Sequence, residues 1–236
     1  MENKNKIKLV KIIVTIIVIA VLGIFLWQIA PLILKLSTHE GQIAFKDKIN
    51  SMGFRGVLML FGLQIVQILL VILPGEPFEV LAGMCYGAWG GYLFITISVL
   101  ITNLIIFFTV RKLGKKYLYN FFKKEKVEKV MNSKLFTNPR NIELVLFILF
   151  FLPASPKDLF VYIGGLLPVK PARFIIIATL ARFPSIITST MVGANISNGN
   201  WKTSLIIYLI TFITAILIIY LVNLKDKNKE FIEIIK

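Results

Sequence analysis

Long stretches of this chain, residues 12–34, 56–73, 80–110 and 203–224 among them, run for 18 to 31 residues without a charged side chain. A bilayer core of about 30 Å is crossed by about 20 apolar helical residues. A soluble helix buries one apolar stripe and keeps charges on its other face. These runs have no such face, so they belong in lipid. Composition agrees, at 57% hydrophobic and 17% charged; soluble domains carry about 25% charge. The expected fold class is an all-α integral membrane protein, a polytopic helical bundle. Two further stretches are less simple: residues 144–156 form a short apolar run, and residues 174–201 hold one charge, Arg182.

The charges between the runs set a topology. Lys and Arg total 27 against 12 Asp and Glu, a net charge of +15. Nucleic acid would need a soluble basic face. Here the basic residues lie between apolar runs, as in membrane proteins, so no nucleic-acid partner is expected. The head carries Lys4, Lys6, Lys8 and Lys11, and segment 111–143 carries ten basic residues from Arg111 to Arg140. Basic loops stay in the cytoplasm, so head and middle segment share a side. Run 12–34 is too long for a signal peptide and no cleavage site follows it, so a retained anchor is expected. The anchor takes the chain out. A full crossing by residues 56–73 would return it, and the next helix would then carry the ten-charge loop outside. Parity is repaired if residues of about 56–91 enter from outside and return there. Residues of about 144–170 then enter from the cytoplasm and return. Six plain spans with short turns are the alternative.

The two breaks resemble each other. Leu73-Pro74-Gly75-Glu76-Pro77-Phe78-Glu79 aligns with Leu152-Pro153-Ala154-Ser155-Pro156-Lys157-Asp158 at a constant offset of 79, which also sets Asn103 over Arg182. Proline lacks an N–H and clashes with the preceding turn, so Pro74, Pro77, Pro153 and Pro156 are expected to break the helices. Opposed hairpins with broken helices in an inverted repeat are how secondary transporters build a midplane site. Glu79 and Asp158 fall just after the second proline of each break. They either serve the helix dipole or bind a proton or sodium ion within the membrane; Glu76 is an extra acid at the first tip. Gly83, Gly87, Gly90 and Gly91 suit close helix packing.

Three arginines are candidates for a phosphate. Arg182 lies deep in an apolar run, just before Pro184, and should face protein or water, paired with an acid or an anion. Guanidinium matches phosphate bidentately. Arg111 and Arg173 end and open long helices, where they either join that site or snorkel to headgroups. Segment 115–135 reads as an amphipathic helix on the cytoplasmic surface, attracted to anionic lipid, or as a solvated basic loop.

Together these segments resemble the VTT-domain membrane proteins, also called the SNARE-associated Golgi protein family, which includes the bacterial DedA proteins. Phe107-x-x-x-Arg111 and Gly165-x-x-x-Val169-x-x-x-x-Phe174 are similar to motifs of its Tvp-type branch. Residues 152–158, followed by Gly164-Gly165-Leu166, resemble its second hairpin, and Arg182-Phe183-Pro184 the helix after it. The resemblance covers roughly residues 50–195. It implies two re-entrant hairpins in inverted repeat and lipid handling, by translocation of polyprenyl phosphate or phospholipid or by scrambling. Its essential acids fall on Glu79 and Asp158, and its essential arginines on Arg111 and Arg182. The DedA branch proper has a different acid-and-glycine signature at the first hairpin, so its substrate is not implied.

The expected organisation has three parts. Residues 1–50 form the cytoplasmic head, anchor and external loop; 51–195 form the VTT-like domain with the basic segment 111–143; 196–236 form the last span and cytoplasmic tail. The expected function is a lipid transporter in a bacterial plasma membrane, with both termini cytoplasmic. Arg111, Arg182 and Arg173 would bind the phosphate of an anionic or phosphorylated lipid, and Glu79, Asp158 and Glu76 a coupling proton or sodium ion. The rival expectations are a passive scramblase, a small-solute or ion transporter, and a non-transport protein of envelope homeostasis. No enzyme is expected, since no G-x-S-x-G, H-E-x-x-H or Walker loop occurs. One cysteine, Cys85, and one histidine, His39, leave no disulfide, metal site or cofactor to expect. Homo-oligomer formation is compatible with all of this.

Overall fold

The computed structural model describes residues 38–70, 75–137, 142–152 and 155–225. The anchor expected over 12–34, Pro74, Pro153, Arg140 and the tail beyond Lys225 lie outside the described residues. The chain forms two units, Met1–Lys48 and Ile49–Lys236. In the first, the Thr38 hydroxyl accepts the Gly41 N–H at 3.2 Å and caps helix α1 (His39–Ser51).

The second unit is all-helical among its described residues. Its helices are α2 (Phe54–Leu70), α3 (Glu76–Leu113), α4 (Lys115–Leu118), α5 (Lys124–Met131), α6 (Lys134–Thr137), α7 (Ile142–Phe151), α8 (Lys157–Gly164), α9 (Pro171–Leu180), α10 (Phe183–Ser197) and α11 (Trp201–Lys225). Three stretches are long and apolar enough to cross a membrane: Glu76–Leu113, Pro171–Ser197 and Trp201–Leu221. A fourth is added if α1 and α2 count as one bent span. Along α11, Leu205, Leu209, Phe212, Ile213, Ile216 and Leu217 are all exposed. Such a surface would aggregate in water and is at home in hydrocarbon.

Helix α3 is longer than one crossing needs, and its geometry shows how the excess is used. Gly87 has φ 74 and ψ 176, a break inside the helix. Only glycine takes up that backbone readily. In a straight helix Gly83 and Gly91 would stand about 12 Å apart. Here a β-carbon on Gly91 would lie 2.8 Å from the Gly83 nitrogen, so the chain bends sharply at Gly87 and its two limbs touch. The short limb, residues 76–86, then crosses α10 backbone to backbone. A β-carbon on Gly83 would lie 2.1 Å from the Thr190 carbonyl oxygen, and one on Gly193 2.0 Å from that of Val80. Small residues at a crossing are how helices approach closely in lipid.

The long limb, residues 88–113, packs against α9. Phe107 stacks on Phe174 with ring centroids 4.9 Å apart, and the Asn103 amide donates to the Thr179 hydroxyl at 3.3 Å. At the end of this limb, Gly164 and Gly165 let the turn after α8 press onto the Phe174 ring and onto Val110. Residues far apart in sequence thus form one knot. Behind it, Tyr162 is fully buried and its hydroxyl donates to the Leu69 carbonyl at 2.8 Å. That carbonyl belongs to the last turn of α2, where helical partners run out.

Segment 115–135 departs from the single amphipathic helix that its sequence suggests. Gly114, at φ 75, ends α3, and three short helices follow. Leu118, Val127, Val130 and Phe136 are buried in the protein core, and Phe121 and Phe122 pack on the Tyr162 ring. The apolar side chains are spent on the protein and do not face lipid. What remains outward is polar and mostly basic: Lys112, Lys116, Lys123, Lys124 and Lys126 are exposed, with Glu125 among them. One polar cluster pins α4 to α5. Lys115 Nζ donates to Glu128 Oε2 at 2.6 Å and the Tyr119 hydroxyl to Oε1 at 2.5 Å. These bonds, that from Lys115 foremost, hold the Glu128 carboxyl below its ordinary 4.5.

Two outcomes are expected. Gly193→Ala places a methyl on a backbone carbonyl and should destabilise the bundle by about 1–3 kcal/mol or more, read as a lower melting temperature in detergent. Gly62→Ala, with no atom within 4 Å, should not. Because the folded Glu128 value is depressed, its contribution is present above the unfolded value and is lost as pH falls through the folded one. Amide protection of α5 should therefore drop as the medium is acidified below pH 4.5, and in Glu128→Gln it should be weaker at neutral pH and flat across that range.

Candidate functional site

The two breaks and the deep arginine meet. Glu79 stands in the first turn of α3 and Asp158 in the first turn of α8. Pro77 lies in the opening turn of α3, and Pro156 is the residue before α8. Arg182 is the residue before α10, whose first turn contains Pro184. Arg182 Nη2 lies 3.8 Å from Asp158 Oδ1. This is an ion pair, too long for a hydrogen bond. The guanidinium carbon sits 5.3 Å from the Phe150 ring centroid, a favourable face for a cation. Arg182 is 5% exposed, and among the described residues neither Nε nor Nη2 has a hydrogen-bond acceptor.

Glu79 comes from the other break and is 8% exposed, with Oε2 lacking a donor among the described residues. Lys157, Ser189, Glu76 and Arg182 act on its carboxylate. Lys157 in turn is under the charges of Glu79, Arg182, Glu76 and Asp158. The ammonium therefore joins the acids of the two breaks. Glu76 is exposed at the edge of the cluster. The group holds three acids (Glu76, Glu79, Asp158) and two bases (Lys157, Arg182), one formal negative charge in excess. Such a cluster has the means to bind an anion through Arg182 and Lys157, and a cation through its surplus carboxylate.

The structure does not bring Arg111 and Arg173 to this cluster. Arg111 donates to the carbonyls of Val169 at 3.2 Å and Leu167 at 3.4 Å, with its guanidinium carbon 5.0 Å from the Phe107 centroid. It holds the turn between α8 and α9 against the end of α3. Arg173 pairs at the surface with Glu143 at 3.2 Å. Judged by the pairing of Asn103 with Thr179, Arg111 lies about 16 Å along the bundle from Arg182. Asn103 itself, set over Arg182 by the repeat offset, is buried against α9 with its Oδ1 lacking a donor among the described residues.

Three contributors were not singled out from sequence. Lys157 reads as a local partner of Asp158, yet its charge also acts on Glu79 of the first break. Ser189 lies two turns beyond Arg182 on α10, a spacing that puts both on one face. Tyr208 lies in an otherwise apolar run, and its phenol is under the influence of Glu79, Glu76 and Ser189. A phenol inside a span is the one signal that marked it.

Comparison with known proteins bears on this arrangement. No curated protein and no solved structure matches the chain. A family model described as the VTT domain matches residues 73–195, from the first break to the end of α10. The match takes in Glu79, Lys157, Asp158, Arg182 and Ser189, and spans more than half of the 236 residues. An integral membrane protein with these breaks, these charges and this match belongs to the VTT domain family.

Proposed function

We propose that the protein is a membrane lipid transporter, a flippase for polyprenyl phosphate or a phospholipid driven by a proton or sodium gradient. The family is generally one of membrane transporters or scramblases of the DedA type, which supports the coarse part of this reading. The observation that carries the finer part is Arg182. It is buried at membrane depth, it stands 3.8 Å from a carboxylate without a hydrogen bond to it, and two of its nitrogens lack acceptors. An arginine so placed has donors to offer, and phosphate oxygens take them in pairs. Lys157 adds a second cationic contact. The surplus carboxylate, Glu79 foremost, takes the coupling cation, whose arrival neutralises the cluster and releases Arg182 toward the headgroup.

In this reading residues of about 56–91 and 144–170 are opposed re-entrant hairpins in an inverted repeat. The fold-back at Gly87 supports the first, since it lets residues 76–86 stop short of a full crossing. The matching positions of Glu79 and Asp158 support the repeat. Arg111 and Arg173, at the basic end of the bundle, gather anionic headgroups there. The basic segment supports a cytoplasmic position for that end; in this reading both termini share that side and the membrane is a bacterial plasma membrane.

The test is a headgroup-translocation assay in vesicles reconstituted with the full chain. Arg182→Ala should abolish transport, and Arg182→Lys, which keeps charge but loses the bidentate fork, should recover only part of it. Glu79→Gln should leave transport that no longer responds to an imposed gradient. Undiminished transport by Arg182→Ala rejects the assignment. Wild-type transport indifferent to any gradient makes the protein a passive scramblase.

A further inference from the structure

Helix α11 lies beyond the matched family domain, yet it packs along α10, the helix that follows Arg182. Ser204 on α11 donates to the Val192 carbonyl of α10 at 3.1 Å, which fixes the antiparallel register of the two helices. In that register Tyr208, one turn deeper, lies level with Thr188 and Ser189 of α10. The two helices leave a groove of about 200 Å³ between them, lined by Phe151, Ile210, Ala215 and Ile218. Ser185 stands in its wall, on the turn of α10 between Arg182 and Ser189. The groove wall thus begins at Pro184, two residues from Arg182 along the chain. Ile210 is 60% exposed, so its open side faces the bilayer.

Three threonines also line the groove, and they would suggest a wet path if their hydroxyls were free. They are not. Thr188 donates to the Pro184 carbonyl at 2.6 Å, Thr211 to Ile207 at 2.8 Å and Thr214 to Ile210 at 2.8 Å. Each hydroxyl is used by its own helix, which leaves the methyl group for the groove. The lining is hydrocarbon in effect, a surface for an alkyl or isoprenoid chain rather than for an ion.

We propose that α11 completes the site: the groove between α10 and α11 holds the hydrocarbon tail of the lipid whose phosphate is bound at Arg182 and Lys157, and the Tyr208 hydroxyl, level with Ser189, contacts the headgroup between the charged cluster and the groove. Charge complementarity assigns the two ends of the occupant, phosphate at the buried cations and tail along the apolar wall. This rests on the transport reading for its phosphate site and adds the tail site and the lateral way in.

The experiment has a binding arm and a transport arm. For binding, a cysteine is placed in the groove (Ala215→Cys with Cys85→Ala) and its alkylation is followed in vesicles. A long-chain lipid phosphate should slow alkylation by about tenfold, while a short-chain phosphate and a long-chain alcohol should not. Equal protection by all three, or none by any, overturns the proposal. For transport, Ala215→Phe fills the groove and should slow the long-chain phosphate by about tenfold while leaving a short-chain analogue within about twofold. Equal loss for both overturns the tail site. Tyr208→Phe keeps the ring and its packing, and should raise KM with little change in kcat; an unchanged KM overturns the headgroup contact. Protection of the cysteine in a wild-type background that moves no lipid would remove the transport reading and leave the tail site standing.

Discussion

A guanidinium and an ammonium inside an apolar bundle have to be matched by carboxylates, and the chain is arranged around that requirement. Placing one arginine at the middle of a membrane helix costs about 2.5–3.5 kcal/mol on insertion scales. Removing one member of a buried pair costs about 3–5 kcal/mol, because the other is left unmatched. Asp158 pairs with Arg182 at 3.8 Å, and Glu79, 79 residues earlier, lies within electrostatic range of both Arg182 and Lys157. Continuous helices would have carried those acids past one another at different depths. Instead both acids stand in first turns, of α3 and of α8, within range of the bases. What reads in the sequence as a fault in two spans is the means by which the charges meet.

Much of this was legible. Uncharged runs gave the membrane and the all-helical class, because nothing else explains 31 residues without a charge. The doubled Pro-x-x-Pro with an acid near its end marked Glu79 and Asp158, and the lone charge in residues 174–201 marked Arg182. Less legible was what depends on tertiary pairing. Arg111 sits at the end of a long apolar helix, as a phosphate ligand or a snorkelling residue would; its actual partners are two carbonyls in a turn more than fifty residues away. Gly193 carries no local signal, since its reason is the Val80 carbonyl that lies against it. Segment 115–135 has the composition of a surface helix, but periodicity does not say whether an apolar face meets lipid or protein.

Motifs that carry a family resemblance need not be the ones that carry its chemistry. Phe107, Arg111, Gly165, Val169 and Phe174 form a packing knot at one end of the bundle. Their spacing is set by the fit of rings, a turn without β-carbons and a guanidinium over two carbonyls. The charged cluster lies well away from that knot. Resemblance across both regions therefore reports two separate constraints, one on the scaffold and one on the ions.

The close crossing of residues 76–86 with α10 limits how the molecule moves. Two places where backbone meets backbone, Gly83 at Thr190 and Gly193 at Val80, leave no layer of side chains to slide. Glu79 and Arg182 consequently ride on a single stiff piece, and α8, with Lys157 and Asp158, is the other jaw. Relative movement of the charged groups would fall between those jaws, since the Gly83–Gly91 contact also ties together the limbs either side of Gly87. Arg182 and Asp158 face each other across that division at 3.8 Å, near without being bonded.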